Sequence, residues 1–332
     1  MSDSSLAAAD TAVSLLGVRK TFGAQRAVDD LDLLIPRGAL YGFIGPNGAG
    51  KTTTIRMIMS ILFPDAGRLS VLGRASALEA KDRIGYLPEE RGLYRKMRVG
   101  EMLSYLARLK GASRTGLALR IRTALERLDL GNAENKRCDE LSKGMLQKVQ
   151  FIGATLHEPD LLILDEPFSG LDPVSTRLLK DLVIEEHRRG ATVLFSTHVM
   201  PQAEEICRHI IMIHRGRKVL DADIASIQSR YDARRVNFAP LDPEADLESL
   251  AALPEVARVE RTNAGADIVL AEGAAPAEAM RRIVGAIPPA RIELARPRLE
   301  DIFIDIVAAG DEGLQAALRA GAALPEGEGA TA

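Results

Sequence analysis

A chain of 332 residues with 46% hydrophobic content is long enough for two domains, each with its own core. A charged fraction of 27% at net charge −3 carries no global basic signature, so nucleic acid is not an expected partner. Cys138 and Cys207 lie far apart without a C-x-x-C, which argues against a disulfide framework or a zinc site and fits a reducing cytosol.

The first ten residues are acidic and small, unlike a signal peptide, and no apolar run approaches the ~20 residues that span a bilayer. Any role at a membrane is therefore expected from the water side. Residues 1–12 read as a loose tail. Ser14 to Thr21 alternates as a strand, Phe22-Gly23 reads as a turn, and Val28 to Ile35 reads as the antiparallel mate. Pro36-Arg37-Gly38 then turns the chain into the apolar run Ala39 to Ile44, a buried strand.

Directly after that strand stand Gly45-Pro46-Asn47-Gly48-Ala49-Gly50-Lys51-Thr52-Thr53, and after them Thr54 to Met59 reads as a helix. The spacing is G-x-x-x-x-G-K-T in the strand–loop–helix setting that a phosphate-binding loop needs. Glycines let the backbone turn tightly and approach a ligand without a Cβ in the way. Successive N–H groups then form an anion nest, to which the helix opening near Gly50 adds its positive end. Lys51 supplies a mobile charge for the β- and γ-phosphates, and the Thr52 hydroxyl suits Mg²⁺, which prefers oxygen.

Further along, Arg68 to Leu72 and Arg83 to Leu87 are short strands. Glu101 to Lys110 and Leu117 to Leu130 carry apolar residues at helical spacing and form a helical insert over about 90–145. Leu161 to Leu164 and Thr192 to Ser196 are continuous apolar runs suited to central strands of a parallel sheet. Pro173 to Arg189 reads as a helix with proline in its first turn. His209 to Ile213 and Lys218 to Leu220 read as an edge hairpin. Residues 235–308 run in the order β-α-β-β-α-β, the split-βαβ pattern of a ferredoxin-like accessory domain, ending in a helix from Leu299. Residues 309–332, rich in Ala, Gly and Glu, read as disordered.

Two acids, Asp165 and Glu166, emerge at the carboxyl end of the run Leu161 to Leu164, where ligands of such sheets sit. Asp165 is placed to hold Mg²⁺, and Glu166 to orient and deprotonate an attacking water. Leu141-Ser142-Lys143-Gly144-Met145 resembles the L-S-G-G-Q signature of the ATP-binding-cassette (ABC) family, departing from it at Lys143 and Met145, with Gln147 two places later. Taken alone, Ser142 reads equally as a plain helix N-cap. The resemblance extends to Ser169-Gly170-Leu171-Asp172-Pro173, the loop that links the two sites of a cassette dimer, and to Ser196-Thr197-His198, the histidine switch. The other histidines, His157, His187, His209 and His214, carry no such context and read as surface or packing residues.

The resemblance implies a fold class of α/β type: a P-loop ATPase core over 13–230, with a mixed sheet, an antiparallel β edge and a helical subdomain, followed by a small α+β accessory domain. It implies ATP with Mg²⁺ at Lys51, Thr52 and Asp165, catalysis by Glu166 and His198, and Ser142 and Gly144 facing the γ-phosphate held by another subunit. Phe22 matches the aromatic that stacks on adenine, the alternative being a core phenylalanine. Glu89 stands where the family has a glutamine that bonds Mg²⁺; it either takes that role or points to solvent. Tyr86 to Tyr94, the signature and Arg296 to Phe303 resemble a narrower branch, similar to sodium-extrusion exporters. That branch implies a homodimer, or a heterodimer with a second ATPase subunit, on the cytoplasmic face of a membrane. Closure of the dimer on ATP would drive a separate multi-span permease. The rival is a soluble cassette ATPase without a membrane partner; such proteins usually fuse two cassettes or split one with long coiled coils, and neither feature is present. A regulatory nucleotide binder is disfavoured because Lys51, Asp165, Glu166 and His198 are all retained.

Overall fold

Alternation of apolar residues builds the first layer: β1 (Thr11–Phe22) and β2 (Gln25–Pro36) form an antiparallel hairpin whose inward residues, among them Leu15, Val18, Leu31 and Leu33, are buried. In the computed structural model, residues 10–89, 94–230, 235–295 and 298–308 are described. Expectations for residues 1–9, 90–93, 296–297 and 309–332 fall outside them. That covers most of the N-terminal tail, the centre of the Tyr86 to Tyr94 stretch, Arg296-Pro297 and the C-terminal tail. The chain divides into two compact units between Ile224 and Ala225.

In the first unit β3 (Leu40–Ile44) leads to α1 (Lys51–Ile58), followed by β4 (Ala66–Val71), a 3₁₀ stretch (Ala77–Arg83) and β5 (Ile84–Leu87). Then come α2 (Val99–Leu109), α3 (Leu117–Arg127) and α4 (Lys143–Thr155), and after them β6 (Leu161–Asp165), α5 (Pro173–Arg188), β7 (Thr192–Thr197), α6 (Met200–Ile206), β8 (His209–His214) and β9 (Arg217–Asp223). One sheet is antiparallel, in the order β2-β1-β4; the other has the order β5-β6-β7-β3-β8-β9 and is parallel except for β9. Every residue of β6 and β7 is buried, as the continuous apolar runs require of strands covered on both faces. The register sets Asp165 opposite Ser196 and Ile44 opposite Thr197, so the carboxyl ends of β3, β6 and β7 lie side by side.

The second unit begins in α7 (Ile224–Arg230), which starts at the boundary, and holds β10 (Arg235–Pro240), a 3₁₀ turn (Leu247–Ala252), β11 (Val256–Thr262), β12 (Gly265–Leu270), α8 (Pro276–Ala286), β13 (Pro289–Ala295) and α9 (Leu299–Ala308). Its antiparallel sheet has the order β11-β12-β10-β13 and its own core around Val236, Phe238, Leu250, Ile268 and Ile283.

Several expectations are corrected. Thr11 and Ala12, placed in the tail, belong to β1, where Ala12 is fully buried. The helix expected to reach Leu130 stops at Arg127, because Asp129 takes a left-handed φ of 56°; Leu128 and Leu130 stay buried without it. The helix after the phosphate loop opens beside Gly50, as expected, but already takes in Lys51, Thr52 and Thr53 ahead of the run Thr54 to Met59. The first helix of the expected β-α-β-β-α-β order is a 3₁₀ turn (Leu247–Ala252) rather than an α-helix, with the Asp246 side chain accepting from the Glu248 N–H. In the predicted edge hairpin only β9 lies at the edge, since β8 also pairs with β3.

Candidate active site

The site grows from the turn between β3 and α1. Gly45, Gly48 and Gly50 have φ of 154°, 77° and 108°, values that side-chain-bearing residues rarely adopt. A Cβ on Gly45 would lie 2.2 Å from the Ile213 carbonyl oxygen, and one on Gly50 would lie 2.3 Å from that of Ala27. Gly50 is the N-cap of α1, so the helix opens where the glycines end. Lys51, the first helical residue, is 6% exposed and donates from Nζ to the carbonyls of Gly45 (2.7 Å) and Pro46 (3.2 Å). Burial pulls the Lys51 ammonium below its usual range, against the carboxylates of Glu166, Asp165 and Glu89.

Asp165 and Glu166 lie at the end of β6, both buried. Ser196 Oγ, from β7, donates to Asp165 Oδ1 at 2.5 Å, and Thr52 Oγ1 lies 3.4 Å from the same oxygen. Burial pushes the Asp165 carboxyl up; the hydroxyls of Ser196 and Thr52 oppose that shift, and Glu89 and Glu166 add to it. Asp165 Oδ2 is buried with no hydrogen-bond partner among the described residues. An unpartnered carboxylate oxygen beside a threonine hydroxyl fits a hard cation that keeps non-protein oxygens as its other ligands, as Mg²⁺ does. Among the described residues no three His, Cys, Asp or Glu side chains assemble a metal cage.

Glu166 has a left-handed φ of 50°. Its N–H points at the carbonyl and the hydroxyl of Ser196, both at 3.2 Å. Its Oε1 meets His198 Nδ1 at 2.9 Å and Lys51 Nζ at 3.9 Å. Lys51, Thr52, Asp165, Glu166 and His198 are thus joined in one network, together with Ser196. Glu89 is exposed; its carboxylate is felt by both Lys51 and Asp165.

The remaining predicted residues lie outside this network. Ser142 is exposed at the N-cap of α4, where its Oγ accepts the Met145 N–H at 3.3 Å. A Cβ at Gly144 would only touch Leu171, at 3.5 Å, so no clash within the chain demands that glycine. Phe22 is 48% exposed at the end of β1, with Lys20 Nζ 5.6 Å from its ring centroid. It is therefore not the core phenylalanine of the alternative reading. Asp172 caps α5 by accepting the Ser175 N–H (2.9 Å) and hydroxyl (2.6 Å).

Two contacts escape the motifs. Ser196 holds both acids, which only the register of β6 and β7 reveals. Gly216 donates its N–H to the Ala49 carbonyl at 2.8 Å and accepts from the Asp29 N–H at 2.9 Å, bracing the phosphate loop against β2. Its sequence signal is a glycine in the turn of the β8–β9 hairpin.

Comparison with known proteins gives the same assignment. A family profile described as ABC transporter matches residues 28–169. A second, described as the C-terminal domain of DrrA1-3-like ATP-binding proteins, matches residues 223–307. An uncharacterized ABC transporter ATP-binding protein of Bacillus subtilis (strain 168) is 43% identical, covering 88% of this chain and 97% of its own. The ABC transporter ATP-binding protein NatA of the same organism is 38% identical, over 64% of this chain and 88% of its own. The Nod factor export ATP-binding protein I of Burkholderia orbicola (strain AU 1054) is 32% identical, over 88% and 95%. A solved ATP-binding subunit of an ABC transporter superposes with a TM-score of 0.63 at 32% identity, covering 67% of this chain and 93% of that one. A phosphate loop facing two acids and a histidine, on a sheet and a sequence shared this widely, leaves one family: the chain belongs to the ATP-binding subunits of ABC transporters.

Proposed function

We propose that this ATPase subunit works as half of a dimer, of two copies or of one copy and a related subunit, and powers export through a separate multi-span permease. The observation that carries the catalytic reading is the contact of Glu166 Oε1 with His198 Nδ1, 2.9 Å, beside Lys51 and Asp165 at the carboxyl ends of the sheet. Lys51 and the loop N–H groups hold the β- and γ-phosphates. Glu166 takes the proton of the attacking water, and His198 orients Glu166 and stabilises the charge that develops. Bound Mg²⁺ would screen the phosphate charge, held by Thr52 and Asp165. Glu89 is the third oxygen side chain for it; Asp165, Glu166 and Glu89 set three negative charges against the one positive charge of Lys51, an excess that suits a divalent cation. The exposed ring of Phe22 stacks on adenine. Ser142, which is exposed, and Gly144, which is half-buried, lie outside the network and complete the site of the other subunit.

The antiparallel order β11-β12-β10-β13, with β12 between the parallel pair β10 and β11, supports a ferredoxin-like accessory domain over 235–308, following an ATPase domain over 13–230. Export is supported by the Nod factor export relative. A position on the cytoplasmic face rests on the family's pairing with permeases; among the described residues no helix is long and apolar enough to cross a membrane. The test is Glu166→Gln. It should leave the Kd for ATP within about threefold while lowering kcat by at least roughly 10², the low end of a lost general base. A kcat within threefold of the unaltered chain (on the order of 0.6 kcal/mol in barrier) would remove Glu166 from the role.

A further inference from the structure

Gln147 takes no part in the proposed catalysis, although it is 2% exposed and its side chain is aimed at the site. Its Nε2 donates to the carbonyl of Pro167 at 3.1 Å, one residue beyond Glu166. A backbone at φ 50° on a glutamate is sparsely populated and persists only where its surroundings over-determine it. Ser196 does so from β7, on the N–H side of Glu166. The turn closes on itself through the Ser169 N–H to the Glu166 carbonyl, 3.1 Å. Gln147 is the hold that comes from a different direction, from α4. Because proline has no N–H, the Pro167 carbonyl is the hydrogen-bonding handle that its residue offers.

The position of Gln147 on α4 matters as much as the bond. Ser142, the exposed N-cap, lies five residues earlier on the same helix, about one and a half turns away. A helix is stiff over that distance. A displacement of its first turn therefore moves the Gln147 amide and, through it, the Glu166–Pro167 turn. We propose that Gln147 is a positioning residue: it transmits engagement of Ser142 by the other subunit's nucleotide to the catalytic carboxylate of its own subunit, so that the two sites of the dimer fire in concert. This coupling rests on the proposed dimer. The requirement is for an N–H donor at this place. Gln147→Glu keeps the shape and loses the donor, and Gln147→Met keeps the length and loses all polarity.

Both variants are made in the full chain, and the steady-state ATPase rate is followed against ATP concentration. ATP-driven dimerisation is followed by light scattering with each variant combined with Glu166→Gln. The expected result is a kcat lowered about ten- to hundredfold, the scale on which small misplacements of a catalytic group act. The Hill coefficient should fall towards about one, with the ATP concentration for half-maximal dimerisation unchanged. A packing role alone would lower the melting temperature and leave the Hill coefficient and the rate per folded molecule as they were, and that outcome overturns the proposal. So does a kcat equal to that of the unaltered chain in either variant. Absence of ATP-driven dimerisation in Glu166→Gln alone would instead overturn the dimer on which the coupling rests.

Discussion

Gly45 and Gly48 stand three residues apart in the same loop, yet the structure assigns them different sensitivities. A Cβ on Gly45 meets the Ile213 carbonyl oxygen at 2.2 Å and Ala49 Cβ at 3.3 Å, and backbone cannot swing aside as a flexible side chain can. A Cβ on Gly48 meets nothing within 4 Å and bears only the strain of its positive φ, which the loop carries with and without ATP. Gly45→Ala should therefore push the loop off β8 and weaken ATP binding by at least about tenfold, while Gly48→Ala should bind ATP with less than half that loss in free energy. Calorimetric titration of both variants decides it; equal losses would show that φ rather than contact governs the loop. Asp165 is sensitive in another way. Its Oδ2 is buried and unpartnered among the described residues, and burial already disfavours its charge. A divalent cation is the partner that satisfies both conditions. In the presence of ATP, Mg²⁺ should raise the melting temperature of the unaltered chain and not that of Asp165→Asn, because only a state that binds the ion gains from it. An equal rise in the variant would place the ion elsewhere.

Elements carry the next level of constraint, and the segment from α4 to β6 shows it. His157 lies just beyond α4, with its Nε2 3.2 Å from the Ile84 carbonyl at the head of β5, a carbonyl that also accepts from Lys110 Nζ at 3.0 Å. Burial, with Lys110 and Arg189 nearby, holds its pKa down to about 4 from 6.5. The folded chain therefore keeps His157 neutral while the unfolded chain protonates it. The stability it contributes is whole above pH 6.5 and is lost as pH falls through 6.5 towards 4; about 2 kcal/mol has gone by about pH 5. His157→Gln keeps an N–H for Ile84 and does not titrate. Its melting temperature should fall less steeply between about pH 6.5 and 5 than that of the unaltered chain, and parallel curves would show that His157 is not the titrating group. How much of such an element is legible in sequence depends on where its determinants lie. The phosphate loop, β6 and β7 are local: glycine spacing and unbroken apolar runs suffice. Phe22 is ambiguous in sequence because nothing in its own neighbourhood distinguishes an exposed ring from a core one. The seven residues of α6 are too few to show a helical period. The stop at Asp129 is a backbone choice with no composition signal. Ser196 on Asp165 and Gln147 on Pro167 exist only once β6, β7 and α4 have packed.

At the scale of the whole molecule, the division of labour between Lys51 and Ser142 is the decisive feature. Lys51 lies in a network with Thr52, Asp165, Glu166 and His198, whereas Ser142 faces solvent and bonds only to its own helix among the described residues. A site built from one chain would need both in the same network. A site built from two chains needs Lys51 from one and Ser142 from the other, and complementation separates these cases. Lys51→Ala and Ser142→Ala should each be inactive alone. Mixed in equal amounts, they pair at random, so half of the dimers contain one of each. Such a dimer has one site with both defects and one with neither, the latter joining Lys51 of the Ser142→Ala chain to Ser142 of the Lys51→Ala chain. Half of the dimers with half of their sites intact would restore up to about one quarter of the unaltered activity, if an intact site turns over beside a dead one. Strict dependence between the sites, as the Gln147 link implies for the Glu166 whose own chain lacks Ser142, would reduce that yield. Full activity of Ser142→Ala by itself would show that one chain hydrolyses ATP alone, and the exposed signature would then be only the cap of α4.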